Sequence, residues 1–218
     1  MTASTASNEV TSSTLLFPYA RWLREEGFRS PYCLTASGLP APDPALLGAA
    51  ADLLDLGPAS LEALPAVEAR LSELFGVRRE QVLVTAGASG AMLVVALALF
   101  PGACVATELP GFEPLRVLAR LHARETALLR REPANGFALP RNELERALAG
   151  PGPVHVLLCQ PHNPTGALLS ADELADVAAR AGKTGGLLIS NEVYMEFAPP
   201  SGASMPSTWP PTRSPSAA

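Results

Sequence analysis

Lysine is almost absent from this sequence of 218 residues: Lys183 is the single one, and arginine carries the remaining positive charge. The net charge is -5 at pH 7, and no run of basic residues occurs. This balance argues against nucleic acid as a partner. The longest apolar stretch, residues 91–100, is too short to cross a bilayer, which takes about 20 residues, so we expect no membrane partner. It predicts a buried helix instead.

Cysteine is also scarce. Cys33, Cys104 and Cys159 are scattered, without the spacing of a metal or redox site. This usage predicts a reducing, cytoplasmic location and no metal. Residues 1–14 carry no Lys or Arg and no apolar segment, so they predict a disordered N-terminus rather than a signal peptide. Residues 198–218 are rich in proline and serine and predict a disordered tail.

Residues 15–80 predict an N-terminal helical segment. Apolar residues at helical spacing favour a helix over 16–27. Residues 29–42 contain several prolines and predict a surface loop. Asp43-Pro44 is a good helix start, and a further helix is expected over 62–75, where Gly76 stops it.

Residues 81–197 alternate between strand-like and helix-like patterns. This alternation predicts an α/β fold, a mostly parallel sheet with helices on both faces and right-handed crossovers. The predicted strands lie near 82–85, 103–107, 125–129, 154–159 and 187–190. The predicted helices lie near 88–100, 112–122, 142–149 and 171–182, the last with a Ser170–Glu173 capping box.

Two predicted strands end in polar residues that suit a binding site. One runs into Asn163-Pro164-Thr165-Gly166, and the other ends near Asn191. Ligands of open α/β sheets bind beyond the carboxyl ends of the strands, so these residues predict a site there. Pro164 and Gly166 fix the turn and hold the Asn163 amide rigidly at the strand tip.

The sequence before the helix at 88–100 is rich in small residues. Gly87, Ala88 and Ser89 would expose backbone amides at a helix N-terminus, which suits phosphate. An ordinary tight turn with a serine cap explains the same residues. The pattern matches neither a Walker loop nor GxGxxG.

Other candidate residues have a structural alternative as well. Phe112, in the Pro110-Gly111-Phe112 loop, could stack on a flat ring or simply pack under the loop. His155 lies inside a strand and fits a hydrogen-bonded core histidine. His162 lies at the sheet edge without a nearby partner in sequence, and His122 ends a helix.

Together these motifs resemble the class I/II aminotransferases, enzymes of the pyridoxal-phosphate-dependent fold type I. The resemblance covers roughly residues 30–197. It implies that 81–197 form part of the cofactor-binding large domain. It also implies pyridoxal 5'-phosphate as cofactor, an amino acid or 2-oxo acid as substrate, and a possible homodimer. The cofactor-binding residues that it implies are Gly87, Ala88 and Ser89 for the phosphate, Phe112 for ring stacking, Asn163 for the ring hydroxyl, Tyr194 beside it, and Asn191.

The sequence departs from the family pattern at two places. Asn191 stands where the family has an aspartate facing the pyridine nitrogen, and a neutral amide cannot favour the protonated ring by charge. Glu192 is expected on the opposite face and does not substitute. Lys183 precedes the last strand, whereas the family's Schiff-base lysine lies beyond it. We therefore assign no catalytic residue and expect a truncated form without transaminase activity.

Two other functions fit the same sequence. One is a non-catalytic module that keeps the contacts for a pyridoxal or nucleotide ligand. The other is an assembly role, in which the fragment pairs with a full-length relative. The loss of the lysine favours both over catalysis.

Overall fold

The structure, a computed structural model, describes residues 17–27, 29 and 63–198. It divides into two units, Met1–Pro42 and Asp43–Ala218. The loop predicted at 29–42 (apart from Arg29), the helix from Asp43 and both predicted disordered termini (apart from Ala198) lie outside the described residues. None of the helices within the described ranges is long and apolar enough to cross a membrane.

The first unit contains a short helix, as the sequence predicts. Helix α1 (Pro18–Trp22) continues as a π-helical turn over Leu23–Gly27. Arg21 Nε donates to Glu25 Oε1 at 2.7 Å, an exposed pair one helical turn apart. Such a pair stabilises a helix by only a few tenths of a kcal/mol, roughly 0.3–0.5.

The second unit contains five helices and four strands within the described residues. The helices are α2 (Leu64–Phe75), α3 (Gly87–Leu99), α4 (Glu113–His122), α5 (Arg141–Leu148) and α6 (Ala171–Lys183). The strands are β1 (Cys104–Leu109), β2 (Glu125–Arg130), β3 (Val154–Cys159) and β4 (Leu188–Asn191). All of these elements match sequence predictions within a few residues at each end.

The strand predicted at 82–85 is wrong. Val82 has an extended backbone, but the segment pairs with no strand among the described residues. Leu83 within it is 69% exposed. An extended chain becomes a strand only when a neighbour accepts and donates its backbone hydrogen bonds, and no described strand lies beside this one. The described part of the sheet therefore has four strands and not the expected five.

The four strands form a parallel sheet in the order β2-β1-β3-β4. From β1 the chain crosses by α4 to β2 on one side. From β3 it crosses by α6 to β4 on the other side. The strands are therefore added in opposite directions across the sheet on the two sides of the β1–β3 pair. This makes the gap between β1 and β3 the topological switch point, where open α/β sheets bind ligands.

Each face of the sheet is covered by helices. Cys104 and Ala106 of β1 belong to the core cluster that includes Leu144 of α5 and Leu174 of α6. Val105, on the opposite face of β1, belongs to the cluster formed with α3 and α4. The predicted arrangement of helices on both faces is confirmed.

Local sequence signals explain several boundaries. Ser170 caps α6, since its Oγ accepts from the Glu173 amide at 3.2 Å and Glu173 Oε2 accepts from the Ser170 amide at 2.9 Å. Gly76 ends α2 with φ 62°, a left-handed cap. Gly186 precedes β4, and a Cβ there would lie 1.9 Å from the Val154 carbonyl oxygen, so this position accepts no side chain.

Candidate functional site

The loops after β1 and β3 meet at the switch point. Pro110-Gly111-Phe112 follows β1, and residues 160–166 follow β3. The β1–β3 ladder ends at the Thr107–Leu157 pair, although the strands run on to Leu109 and Cys159. The strands therefore part toward this end, which we call the carboxyl edge of the sheet.

The α3 helix begins at the predicted turn, but the Gly87 amide is already bonded within it. Gly87 begins the helix with φ 71°, and its amide donates to the Thr85 carbonyl at 2.8 Å. Ala88 and Ser89 are exposed, and amides of a first helical turn have no intrahelical acceptor. Ser89 is not the helix cap, because Ala86 holds that position. Anion-binding capacity in this turn therefore rests mainly on the amides of Ala88 and Ser89.

Phe112 lies at the start of α4 and is half-buried. Its ring packs against the α3/α4 core cluster, which includes Cys159. The preceding Gly111 is required by close approach, because a Cβ there would lie 2.7 Å from the Glu108 carbonyl oxygen. The ring is thus fixed on one side by the core and remains accessible on the other.

Asn163 lies at the tip of a turn closed by its own backbone. The His162 amide donates to the Ala167 carbonyl at 2.8 Å, and the Gly166 amide donates to the His162 carbonyl at 2.7 Å. Gly166 has φ 73°, which supports the predicted need for glycine. The peptide bonds before Pro110, Pro161 and Pro164 are all cis. Asn163 itself is half-buried and follows β3 at the carboxyl edge.

Asn191 is buried at the end of β4, opposite Cys159 in the parallel ladder. Its Oδ1 lies 3.5 Å from the Val193 amide nitrogen. Glu192 turns to the other side, where its Oε1 accepts from Ser190 Oγ at 2.9 Å. This geometry agrees with the expectation that Glu192 does not replace Asn191. Burial raises the pKa of the Glu192 carboxyl, and the Ser190 hydroxyl acts in the opposite direction.

Tyr194 is half-buried in the turn that follows β4, three residues beyond Asn191 in the chain. The short 3-10 turn Met195–Phe197 begins directly after it. The structure therefore brings Phe112, Asn163, Asn191 and Tyr194 to the carboxyl ends of the strands. Helix α3 packs on the same side of the sheet as α4.

A buried polar cluster at this edge was not predicted from the sequence. It consists of Glu108, Arg131 and His162, whose exposed fractions are 2%, 3% and 1%. Arg131 Nε donates to Glu108 Oε1 at 2.7 Å, and Glu108 Oε2 accepts from the Cys159 amide at 2.7 Å. The signal in the sequence was Glu108, a charged residue within the buried strand β1.

His162 joins this cluster to both loops. Its Nε2 lies 3.0 Å from the Pro110 carbonyl oxygen and 3.9 Å from Glu108 Oε1, and its Nδ1 lies 2.7 Å from Thr165 Oγ1. Burial lowers the pKa of the His162 imidazole, with the positive charge of Arg131 acting in the same direction. Burial also raises the pKa of the Glu108 carboxyl, while Arg131 and the Cys159 amide oppose that shift.

The other described histidines and cysteines lie in the secondary structure outside this cluster or are buried in the core. His155 Nε2 lies 2.9 Å from the Leu99 carbonyl oxygen and its Nδ1 accepts from the Leu187 amide at 3.1 Å, which confirms a hydrogen-bonded core histidine. His122 ends α4, as predicted. Cys104 and Cys159 are free and buried, and burial raises the pKa of both thiols. In the described part of the chain no three His, Cys, Asp or Glu side chains gather as metal ligands.

Lys183 lies by the amino ends of the strands, which we call the amino edge of the sheet. It is the exposed last residue of α6, and the next residue, Thr184, accepts from the Val154 amide at the amino end of β3 at 2.9 Å. The predicted position of Lys183, away from the candidate site, is confirmed.

These features define a doubly wound α/β protein, a class whose members bind ligands beyond the carboxyl ends of their strands. The chain belongs to the family described as aminotransferase class I and II, whose profile matches residues 57–212. This is a family of pyridoxal-phosphate-dependent enzymes.

Individual relatives agree with this assignment. The chain is 36% identical to histidinol-phosphate aminotransferase of Halorubrum lacusprofundi over 132 residues, which cover 60% of this chain and 35% of the relative. The solved N-succinyldiaminopimelate aminotransferase from Mycobacterium tuberculosis aligns with a TM-score of 0.54 and 31% identity, over 65% of this chain and 38% of that one.

Cystalysin from Treponema denticola, whose crystal structure contains pyridoxal 5'-phosphate, shares the fold. It aligns with a TM-score of 0.59 and 21% identity, over 77% of this chain and 45% of that one. The chain spans about a third of the length of the curated relatives it matches.

Proposed function

We propose that this chain binds pyridoxal 5'-phosphate non-covalently at the carboxyl edge. The observation that carries the proposal is that Phe112 and Asn191 share the α3/α4 side of the sheet with Cys159. The residues fit the cofactor in kind: free amides for a phosphate, an aromatic ring for a flat heterocycle, and amide side chains for ring polar atoms.

Each residue has one role in this proposal. The amides of Ala88 and Ser89, at the turn that Gly87 begins, hold the phosphate. Phe112 stacks on the ring, and the Asn163 amide hydrogen-bonds the ring hydroxyl, with Tyr194 beside it. Asn191 faces the ring nitrogen as a neutral group. The bound cofactor supplies an electron sink for chemistry at an amino acid, which makes an amino acid or a 2-oxo acid the proposed substrate class.

This chain alone does not supply the lysine that would attach the cofactor covalently. Lys183 is the single lysine of the sequence and lies at the amino edge. The described residues at the carboxyl edge hold no side-chain amine that could take its place. We therefore assign binding and orientation to this chain and no catalytic residue.

Titration with the cofactor tests this proposal. We expect a saturable change in cofactor absorbance, and no adduct on any core peptide after borohydride reduction and peptide mass mapping. Replacing Phe112 with Ala should weaken binding about two- to tenfold, because an aromatic pair contributes about 0.5–1.5 kcal/mol. The control Phe75→Ala changes an exposed ring on α2 and should leave binding intact. Absence of a saturable change overturns the proposal, and a reduced core adduct overturns its non-covalent form.

An assembly role is the second candidate. The exposed apolar side chains of α3, Leu93, Val94 and Leu97, favour it, as does β4, which pairs only with β3 among the described strands. A homodimer, or a complex with a longer relative, would cover this surface. Sedimentation velocity over a range of concentrations tests it, and a monomer at every concentration would count against a homodimer.

The buried reduced thiols suit the proposed cytoplasmic location.

A further inference from the structure

One side chain links the loop that carries Phe112 to the turn that carries Asn163. His162 sits between them, because its Nε2 reaches the Pro110 carbonyl at 3.0 Å and its Nδ1 reaches Thr165 Oγ1 at 2.7 Å. Pro110 lies two residues before Phe112, and Thr165 lies two residues after Asn163. One imidazole therefore spans the switch point between the β1 loop and the β3 turn.

The hydrogen-bond partners fix the tautomer of this imidazole. The Pro110 carbonyl oxygen can only accept, so Nε2 must carry the proton and donate it. Nδ1 is then unprotonated and accepts from the Thr165 hydroxyl. Thr165 Oγ1 in turn accepts from the Ala167 amide at 3.3 Å. The chain of hydrogen bonds runs in one direction, from the Ala167 amide to the Pro110 carbonyl.

The surrounding charges hold His162 in place. Glu108 Oε1 lies 3.9 Å from Nε2 and is paired with Arg131, whose Nη1 donates to the Phe137 carbonyl at 2.7 Å. The second Glu108 oxygen is bonded to the Cys159 amide, immediately before the loop that contains His162. A side chain with bonds at both ring nitrogens and buried charged neighbours has little freedom to move.

We propose that His162 is a positioning residue, which sets the distance between the Phe112 loop and the Asn163 turn so that both can contact one ligand ring. This inference rests on the proposed cofactor binding. His162 does not touch the ligand itself. It acts through the Pro110 carbonyl on one side and the Thr165 hydroxyl on the other.

Two substitutions at position 162 test the hydrogen bonds of Nε2 and Nδ1 separately. Gln at position 162 places an amide donor near the Nε2 position, so it can keep the bond to the Pro110 carbonyl. Asn places an acceptor near the Nδ1 position, so it can keep the bond from Thr165 but loses the tie to Pro110. We expect His162→Asn to weaken pyridoxal phosphate binding about tenfold and His162→Gln to stay within about threefold of the native chain, where tenfold corresponds to about 1.4 kcal/mol.

His155→Asn is the matched control. It removes another buried imidazole from the same strand region, but its partners, Leu99 and Leu187, belong to the amino-edge side of the fold. Its pyridoxal phosphate affinity should equal that of the native chain. The affinity for inorganic phosphate, measured by competition, should be unchanged in His162→Asn, because the α3 amides do not depend on His162.

Hydrogen exchange gives a readout that needs no ligand. In His162→Asn, peptides that cover 109–118 should exchange faster than in the native chain, while His162→Gln should match the native rate. A pair at half-buried position 165 tests the other ring nitrogen. Thr165→Val should speed exchange over 160–169 and, like His162→Gln, keep affinity within about threefold of the native chain, since both lose only the bond between Thr165 and position 162. Thr165→Ser keeps the hydroxyl and should change neither.

The outcomes distinguish the two proposals. If the native chain binds no pyridoxal phosphate, the proposed function fails, and the exchange data alone decide whether His162 ties the loops. Equal exchange and equal affinity in His162→Asn and His162→Gln would overturn the positioning role. If His162→Asn does not fold, the Thr165 pair decides, and identical behaviour of Val and Ser would likewise overturn it.

Discussion

Asn191 lies directly opposite Cys159 in the β3–β4 ladder, with its side chain buried on the α3/α4 side of the sheet. The aspartate of the family pattern would put a negative charge there. We expect Asn191→Asp to lower the thermal midpoint without ligand, since an uncompensated buried charge is destabilising by about 3–5 kcal/mol. We also expect it to raise pyridoxal phosphate affinity about tenfold, because the charge favours a protonated ring nitrogen.

Calorimetry and absorbance titration check both effects on the same sample. Asn191→Leu is the control, because it removes the amide without adding charge and should weaken binding. Equal affinities for the Asp and Leu variants would show that position 191 does not face the ring nitrogen.

Lys183→Ala should leave cofactor affinity and spectrum unchanged. Lys183 ends α6 before β4, and the four residues of β4 span on the order of 13 Å, whereas an extended lysine side chain covers roughly 6 Å. The lysine therefore cannot reach the carboxyl edge. Absorbance spectra of the native and Ala proteins with added pyridoxal phosphate make the comparison. A spectral change that depends on Lys183 would require a site at the amino edge.

The stability of the fold should fall as the pH falls below about 6.5. Burial lowers the pKa of His155 and His162 from their ordinary value of 6.5, so the unfolded state takes up protons first. Each group contributes stability that is fully present above the ordinary pKa and is lost as the pH falls toward the folded pKa. The slope is at most about 1.4 kcal/mol per pH unit for each histidine.

Urea unfolding between pH 7.5 and 5.5 (about two pH units) measures this slope. His155→Asn should flatten it, because Asn keeps an acceptor for the Leu187 amide and does not titrate. The raised pKa of Glu108 contributes the opposite sign, since its native state holds a proton more readily. Comparing variant with native protein cancels that contribution, and identical slopes would contradict the assignment to His155.

A charge introduced on α3 should be tolerated at Leu97 and should prevent folding at the neighbouring Ala96. Leu97 is 56% exposed, whereas Ala96 is fully buried against the sheet. Leu97→Glu should change the free energy of unfolding by less than about 0.5 kcal/mol and reduce binding of a hydrophobic dye. Ala96→Glu should prevent stable folding, since an unpaired charge would enter the core. Strong destabilisation by Leu97→Glu would show that this surface is covered in the folded protein.

Much of the secondary structure was predictable because local signals set it. The bounds of β3 agree with the apolar run Val154–Cys159, and the start of α6 follows from the Ser170–Glu173 capping box. The segment 82–85 has the same local pattern as a strand, yet pairing decides whether a strand forms. Whether a pairing strand is present depends on residues far away in the sequence, so the pattern of one segment cannot predict it.

The candidate site divides in the same way. Asn163, Phe112 and the Gly87–Ser89 turn stand out in the sequence because prolines, glycines and small residues mark their turns. Glu108 and Arg131 lie 23 positions apart and meet only because β1 and β2 pair in a specific register. The position of His162 at the sheet edge was predicted from the sequence. Its contact with Pro110 was not, because the two residues lie 52 positions apart.

The hydrogen bond from the Cys159 amide to the Glu108 carboxylate has a consequence for how fast a ligand can enter. It satisfies an amide at the point where β1 and β3 separate, so the cleft between them is stable without an occupant. Ligand association then requires no prior opening step. In stopped-flow mixing the observed rate should therefore rise linearly with ligand concentration, without the plateau that a slow conformational gate imposes.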